Sequence, residues 1–381
     1  MTDTATETSP TRTGAATIQD LVLTDEQATL RDVARDFLGA RVPMKRVREL
    51  MATPSAFDEG LWQEVAAMGW QAMAIPEDLG GAGYGMVEVA VVFEEIGRAV
   101  APLPMLSTIM ATAVLRDHGT DDQRATMLPS IAAGALRMVV AVPVAGADDG
   151  VEITDTEAGA RLDGHASHVI EAVGAEAVVV ATGRGAFVVP TDRAGMTVVP
   201  MDALDPTRPL ARVEFANVAV DDDDALVGDA GDVIDTARTV GAVMLANEMV
   251  GVAAGAHAMA VEYAKVRRQF GRAIGSFQAV KHLLADDLVQ LEAARSTAWW
   301  AARALAVHDV EEVAVAVPVA ASLCPATAAA ITGHSIQVHG GIGFTWEHDA
   351  HLYYKRASAA TLLLGSGRAW RRRLGATLAL T

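Results

Sequence analysis

The sequence is poor in cysteine, with Cys324 the single example in 381 residues. One cysteine excludes a disulfide framework and any metal site built from several cysteines, and it fits a reducing compartment. We therefore predict a cytoplasmic protein without a metal site. The first residues also lack a basic region followed by an apolar run, so we expect residues 1–20 to form a disordered tail and not a signal peptide.

Basic residues are scarce as well: 30 lysines and arginines stand against 48 acidic residues, for a net charge of -18. This balance argues against nucleic-acid binding, because phosphate backbones need a basic face. The segment 313–333 carries no charge but is rich in alanine and includes Pro318 and Pro325. We interpret it as a buried helix of a bundle and not as a membrane span.

Periodicity divides the chain into three parts. Apolar residues recur at helical spacing over 21–137, with Thr24 as a possible N-cap of the first helix. Residues 138–228 form short valine-rich runs separated by glycine, aspartate and proline, which is typical of a β domain. Long helical patterns return over 229–381, in segments 232–268, 277–307, 311–335 and 347–378. The predicted fold is α+β and multidomain: N-terminal helices, a central β-barrel-like domain and a C-terminal four-helix bundle.

The few basic residues gather at two places in the C-terminal part. One is AKVRRQFGRAIGSFQAVKH, residues 264–282, and the other follows Asp349 and includes Lys355, Arg356 and Arg372. The paired glycines of SIQVHGGIGF, residues 335–344, lie between them and let a ligand approach the backbone closely. These features suit a ligand with a pyrophosphate and an aromatic ring system. A solvated basic face is the alternative from composition alone.

Five motifs in this order resemble the acyl-CoA dehydrogenase flavoproteins over residues 20–375: IPEDLGGAGYG, FEEIGRAVAP, TRPLARVEFANVAV, YAKVRRQFGRAIGSFQAVKH and IQVHGGIGFTWEHDAHLYYKRA. The resemblance implies FAD, a tetramer and the α,β-desaturation of an acyl-CoA thioester, with electrons passed to an electron-transferring flavoprotein. It also implies that the bundle contributes to the FAD site of a neighbouring subunit. The contributing residues would be Arg267, Gln269, Phe270, Phe277, Gln278, Gln337, Gly340 and Gly341.

The carboxylate base that this chemistry needs is missing from both positions where the family carries it. The corresponding residues are Leu364, in TLLLGSGR, and Gly241, on the first helix of the bundle. Glu248 is the only charged residue of 239–261 and is therefore the remaining candidate base. The alternative is that Glu248 is paired with an arginine in the bundle core.

The β domain departs from the family in a second way. The loop that usually offers hydroxyl groups to the flavin reads VVAVPVAGADD, residues 139–149, with Ala141, Val142, Gly146 and Ala147 at the flavin side. His168 stands where a tryptophan commonly packs on the flavin, and it is either a flavin contact or a hydrogen-bonding residue of the surface or core. The chain's own half of the FAD site is thus weakened, while the half donated to a neighbour is intact.

Three functions follow from this asymmetry. The first is a working FAD-dependent acyl-CoA dehydrogenase, as a homotetramer or as a catalytic subunit of a heterotetramer. The second is a non-catalytic partner in an α2β2 complex with a homologous subunit, as in actinobacterial enzymes acting on sterol side chains. The third is an oxidase with the same fold. By analogy, residues 103–110 and the start of the first bundle helix would line the acyl channel. Arg238, near the start of that helix, would either meet a phosphate of acyl-CoA or form a surface ion pair.

Overall fold

The computed structural model describes residues 22–144, 147, 149–157 and 159–379, so the predicted tail and Gly146 lie outside the described residues. Six helices form the N-terminal part. Thr24 caps the first of them, as predicted, by accepting a hydrogen bond from the backbone N–H of Gln27. The helices are α1 (Asp25–Arg41), α2 (Met44–Leu50), α3 (Glu59–Ala67), α4 (Met86–Arg98), α5 (Met105–His118) and α6 (Asp121–Ala132).

The central part consists of two small sheets with a shared apolar core. The first has the strand order β1-β4-β5, and the second has the order β2-β3-β7-β6. Valines from β1, β4, β5 and β7 fill the space between them, which is why the sequence here is valine-rich. The strands are β1 (Met138–Val140), β2 (Gly150–Thr156), β3 (Gly159–Ile170), β4 (Ala177–Thr182), β5 (Gly185–Pro190), β6 (Met196–Met201) and β7 (Leu210–Val220).

The C-terminal part is a helical bundle, which confirms the predicted fold class. It contains α7 (Ala230–Val266), α8 (Gln278–Ala306), α9 (Val310–His339), α10 (Ala350–Ala360) and α11 (Gly367–Thr377), and a short hairpin of β8 (Arg268–Gln269) and β9 (Arg272–Ala273) precedes α8. One prediction was wrong: the segment 347–378 is not one helix. The chain leaves the helix between α10 and α11, where Leu364 and Gly365 have positive φ angles.

Two segments are apolar and long enough to cross a membrane by composition alone, Ala230–Val266 and Val310–Phe344. Of their most apolar windows, 89% and 56%, respectively, are buried inside the structure. Core helices of a bundle show burial of this kind, so length and apolar composition are weak evidence for a membrane span here.

Glycines allow α4 and α7 to cross at very short distance. A Cβ atom on Gly251 would lie 1.8 Å from the carbonyl oxygen of Glu94, and one on Gly97 would lie 1.9 Å from that of Glu248. The two backbones are therefore in contact, and neither can yield by a simple side-chain rotation. This crossing fixes the position of Glu248 relative to the N-terminal helices.

We expect Gly251→Ala to destabilise the protein by about 3 kcal/mol or more, because overpacking against backbone cannot be relieved by a rotamer change. Gly39→Ala is the matched control, since a Cβ there meets nothing within 4 Å in the helix α1. That change is expected to be neutral or to stabilise slightly. Urea unfolding followed by circular dichroism measures both, and equal midpoints would contradict the close crossing.

Candidate functional site

The hairpin before α8 presents Phe270 to solvent. Phe270 and Gly271 occupy its two-residue turn with φ angles of 51° and 79°, the left-handed values that such a turn requires. This conformation is uncommon for a bulky residue and occurs mostly where function demands it. The phenyl ring is 91% exposed and touches Phe277 edge-on at 6.2 Å between ring centroids. An aromatic side chain held out in this way is suited to contact a ligand or another subunit.

Among the described residues, four of the five lysines and arginines of 264–282 have no acidic partner, and the fifth, Lys265, pairs with Glu262 at 2.6 Å. Within the described part of the chain, Arg267, Arg268 and Lys281 are exposed and form no ion pair, and Arg272 lies over the ring of Phe277 at 4.0 Å. Most arginines elsewhere in the protein are paired with a carboxylate, for example Arg35 with Glu95 at 2.8 Å. Unpaired guanidinium groups on a protein of net charge -18 favour an anionic ligand at this surface.

The glycine-rich turn after α9 lies against the same end of α7. The rings of Tyr263, one turn before Arg267, and His339, directly before Gly340, are 4.5 Å apart. Cβ atoms built on Gly340 and Gly341 meet nothing within 4 Å, so the backbone there is open to a ligand. Gln337 is exposed at the same turn, and Gln269 and Gln278 are exposed in and after the hairpin. The fold thus gathers the predicted FAD residues at one end of the bundle.

The half of the predicted flavin site that this chain would form for its own cofactor offers fewer polar groups. Ala141 is 4% exposed and contributes no hydroxyl group, and Val142 follows it at the end of β1. His168 is exposed, with a left-handed φ of 58°. In its described part, this half offers few polar side chains to orient a flavin. The residues present therefore fit FAD on the donated half and fit it poorly on the chain's own half.

Glu248 is fully buried and clamped by two arginines. Its Oε2 atom accepts a hydrogen bond from Nη2 of Arg208 at 2.5 Å, and its Oε1 atom accepts one from Nε of Arg356 at 2.7 Å. Burial raises the pKa of Glu248, but the two positive charges outweigh it and hold the pKa below its ordinary value. A carboxylate stabilised in this way is a poor base, because a proton acceptor at neutral pH needs the opposite shift. The geometry argues against Glu248 as the base and favours the alternative of a pair in the bundle core.

The same cluster joins all three parts of the fold. Arg208 also contacts Glu171 at 3.1 Å, and Nη1 of Arg356 donates to Thr207 at 2.9 Å. Glu171, at the end of β3, accepts from both the backbone and the hydroxyl group of Ser107 on α5. Arg356 is 1% exposed, so its assignment to the basic C-terminal surface was wrong. The motif TRPLARVEFANVAV contains Arg208 and was one signal for this cluster, but no local pattern pairs Arg208 with Glu248.

The two positions where the family carries its base lie side by side. A Cβ atom built on Gly241 would be 2.8 Å from Cδ1 of Leu364 and 2.8 Å from Sδ of Met110. Leu364 is 8% exposed and Met110 is 1% exposed. No carboxylate occupies either position, and side chains fill the space between them. The predicted acyl-channel residues Leu103, Leu106, Ile109 and Met110 are likewise buried in the core.

Arg238 lies close to acidic and basic neighbours on the protein itself. Its Nη1 atom is 3.7 Å from Oδ1 of Asp235, which is also held by Arg373 through two hydrogen bonds. Partial burial, together with the charge of Arg373, lowers the pKa of Arg238 although Asp235 opposes the change. This environment favours the surface ion pair over a phosphate contact. Among the described residues, no three His, Cys, Asp or Glu side chains are placed to hold a metal ion.

Comparison with known proteins agrees with this geometry. The profile of the acyl-CoA dehydrogenase N-terminal domain matches residues 24–135, and that of the C-terminal domain matches residues 230–379. Acyl-CoA dehydrogenase IpdE2 of Mycobacterium tuberculosis is 36% identical over 92% of this chain and 96% of its own length. The chain belongs to the acyl-CoA dehydrogenase family, whose members are flavoproteins.

Solved structures extend the comparison. The ChsE4-ChsE5 complex from Mycobacterium tuberculosis contains a chain of TM-score 0.87 and 28% identity, with 95% of this chain and 99% of that chain covered. A variant of the Tcur3481-Tcur3483 steroid ACAD contains one of TM-score 0.83 and 30% identity, with 93% and 98% covered. Both structures carry names that join two components.

Proposed function

We propose that this chain is the non-catalytic partner subunit of a heterotetrameric acyl-CoA dehydrogenase and completes the FAD site of a homologous subunit. One observation carries the proposal: both base positions, Leu364 and Gly241, are apolar and packed against each other, while Glu248 is clamped by two arginines. The reaction removes a weakly acidic proton beside the thioester and cannot proceed without a base. The two-component descriptions of the similar structures support the same assignment.

In this proposal the chain acts through its exposed C-terminal surface. Arg267 offers a guanidinium fork to the pyrophosphate of the neighbour's FAD, and the open backbone at Gly340 and Gly341 lets the dinucleotide lie close. Phe270 supplies an aromatic face. FAD held there would supply the hydride acceptor for the catalytic subunit, and an electron-transferring flavoprotein would then take the electrons. We place the complex in the cytoplasm, a proposal supported by the single, buried Cys324.

Purification tests the proposal directly. Expressed alone, the chain should bind little or no flavin and should not reduce flavin with an acyl-CoA. Coexpressed with a base-carrying homologue from the same genome, it should yield a yellow α2β2 complex. Visible absorption and size-exclusion chromatography with light scattering measure both. A yellow homotetramer that is reduced by an acyl-CoA would refute the partner role and establish the second candidate, a working dehydrogenase.

A matched pair of variants tests the surface that carries the cofactor. In the coexpressed complex, Arg267→Gln should weaken FAD binding about ten- to a hundredfold, the usual loss for a charge-assisted hydrogen bond to phosphate. Lys281→Gln removes one positive charge from the same exposed stretch and should leave FAD affinity nearly unchanged. Flavin retained after dialysis, measured by fluorescence, distinguishes them, and equal losses would contradict the specific role of Arg267.

A further inference from the structure

A groove of about 450 Å³ lies on the opposite side of α7 from the base positions. It is bounded by the loop before α4, the end of α5, the first turns of α7, the turn between α8 and α9, and Arg373 of α11. With 3.6 residues per turn, Thr236 and Thr239 face this groove while Gly241 faces α5 and Leu364. The groove therefore lies on a different face of α7 from Gly241, Leu364 and Met110, and its volume is in the range of small-molecule sites.

One wall of the groove is apolar, and part of it is exposed. Met86 and Val240 are 6% and 4% exposed and form its floor with Leu305. At the rim, Tyr84 is 57% exposed and Val310 is 80% exposed. Large apolar side chains left open next to a concave floor favour an apolar ligand, because covering them releases surface from water.

The polar residues of the groove leave one carboxylate without a partner. Asp117 is paired with Arg116 at 2.7 Å, and Asp235 is held by both guanidinium nitrogens of Arg373. Asp232 forms no hydrogen bond or ion pair with any residue that the structure describes. It lies in the first turn of α7, where the helix dipole favours a negative charge. Among the residues that line the groove, three aspartates thus stand against two arginines beside an apolar wall, and Arg238 contacts Asp235 from outside the lining at 3.7 Å.

We propose that this groove binds a small amphiphile that has an apolar body and one cationic group. The body covers Met86, Val240, Tyr84 and Val310, and the cation meets Asp232. The excess negative charge disfavours the phosphates of acyl-CoA, which distinguishes this ligand from the substrate of the family. The hydroxyl group of Thr239, which has no hydrogen-bond partner among the described residues, is available to a polar substituent of the ligand.

Two probes of equal chain length and opposite charge test the groove: decyltrimethylammonium and decanoate, each below its micelle concentration. Isothermal titration calorimetry on the full chain should show saturable 1:1 binding, with the cation bound several-fold more tightly than decanoate. Asp232→Asn should weaken that binding about two- to fivefold, as expected for an exposed charge pair, and Asp232→Lys should reverse the preference towards decanoate. Asp222→Asn, which removes an exposed acid elsewhere, should leave binding unchanged.

A second variant tests the apolar part. Thr239→Phe should lower the affinity about tenfold by filling the groove, since losing contact with ~50 Å² of apolar surface costs that much. Circular dichroism and thermal unfolding must show that this variant keeps its fold. The proposal is overturned if both probes bind equally, if neither binds, or if the folded Thr239→Phe variant binds like the wild type. None of these outcomes depends on flavin, so they leave the proposed function untouched.

Discussion

Glu248→Gln is expected to destabilise the protein by about 3–5 kcal/mol, the usual cost of removing one partner from a buried ion pair. The side chain keeps its size, but Arg208 and Arg356 each lose one of two buried carboxylate partners and keep only Glu171 and Asp205, respectively. Two of their nitrogens, Nη1 of Arg208 and Nη2 of Arg356, already have no hydrogen-bond partner, so the cluster has little capacity to rearrange. Thermal and urea unfolding measure the loss.

The matched control is Glu262→Gln on the same helix. Glu262 is also paired, with Lys265 at 2.6 Å, but its side chain is 70% exposed. Its loss should cost less than about 1 kcal/mol. A Glu248→Gln variant as stable as this control, with flavin reduction abolished in the complex, would restore Glu248 as the base.

The pH dependence of the stability difference between wild type and Glu248→Gln gives an independent check. The pKa of Glu248 in the folded protein lies below its ordinary value, which is about 4.3 in an unfolded chain. Its contribution to stability is therefore complete above that value and is lost as the pH falls through the folded-state pKa. The stability gap between wild type and Glu248→Gln should be constant near neutral pH and should shrink only in acid.

The order of helices and strands was predictable because each element is encoded locally. Helical spacing, the Thr24 cap and the valine-rich runs depend on neighbours within a few residues. The break between α10 and α11 was missed because Leu364 takes a left-handed conformation that leucine does not signal. The local hints of a turn there were Gly365, Ser366 and Gly367, of which Ser366 caps α11.

The site was predictable only where its residues stand in one short motif. The RQFG hairpin and the HGG turn are contiguous in sequence, and the structure brings them together through Tyr263 and His339. The partners of Glu248 lie 40 and 108 residues away, and many other arginines were equally plausible. Long-range pairing of charges is decided by packing, here by the close crossing of α4 and α7, which no local pattern reports.

Leu364→Glu, combined with Met110→Ala, is expected to give this chain a catalytic base. Met110 now fills the space beside Leu364 and Gly241, so the single variant Leu364→Glu should gain much less. A carboxylate in this apolar surrounding will have a raised pKa, as a general base near neutral pH requires. In a complex whose other subunit has lost its own base, the double variant should speed acyl-CoA-dependent flavin reduction by about 10²- to 10⁴-fold.

Two controls separate chemistry from repacking. Leu364→Gln with Met110→Ala has the same shape without the base and should gain nothing. Leu362 lies in the same loop and is 71% exposed, so Leu362→Glu puts a carboxylate away from the packed contact between Leu364 and Gly241. If the glutamate and glutamine forms reduce flavin equally, then a missing base is not what silences this subunit. The poor flavin contacts around Ala141 and His168 would then be the limiting defect, and a variant that restores hydroxyl groups there becomes the test.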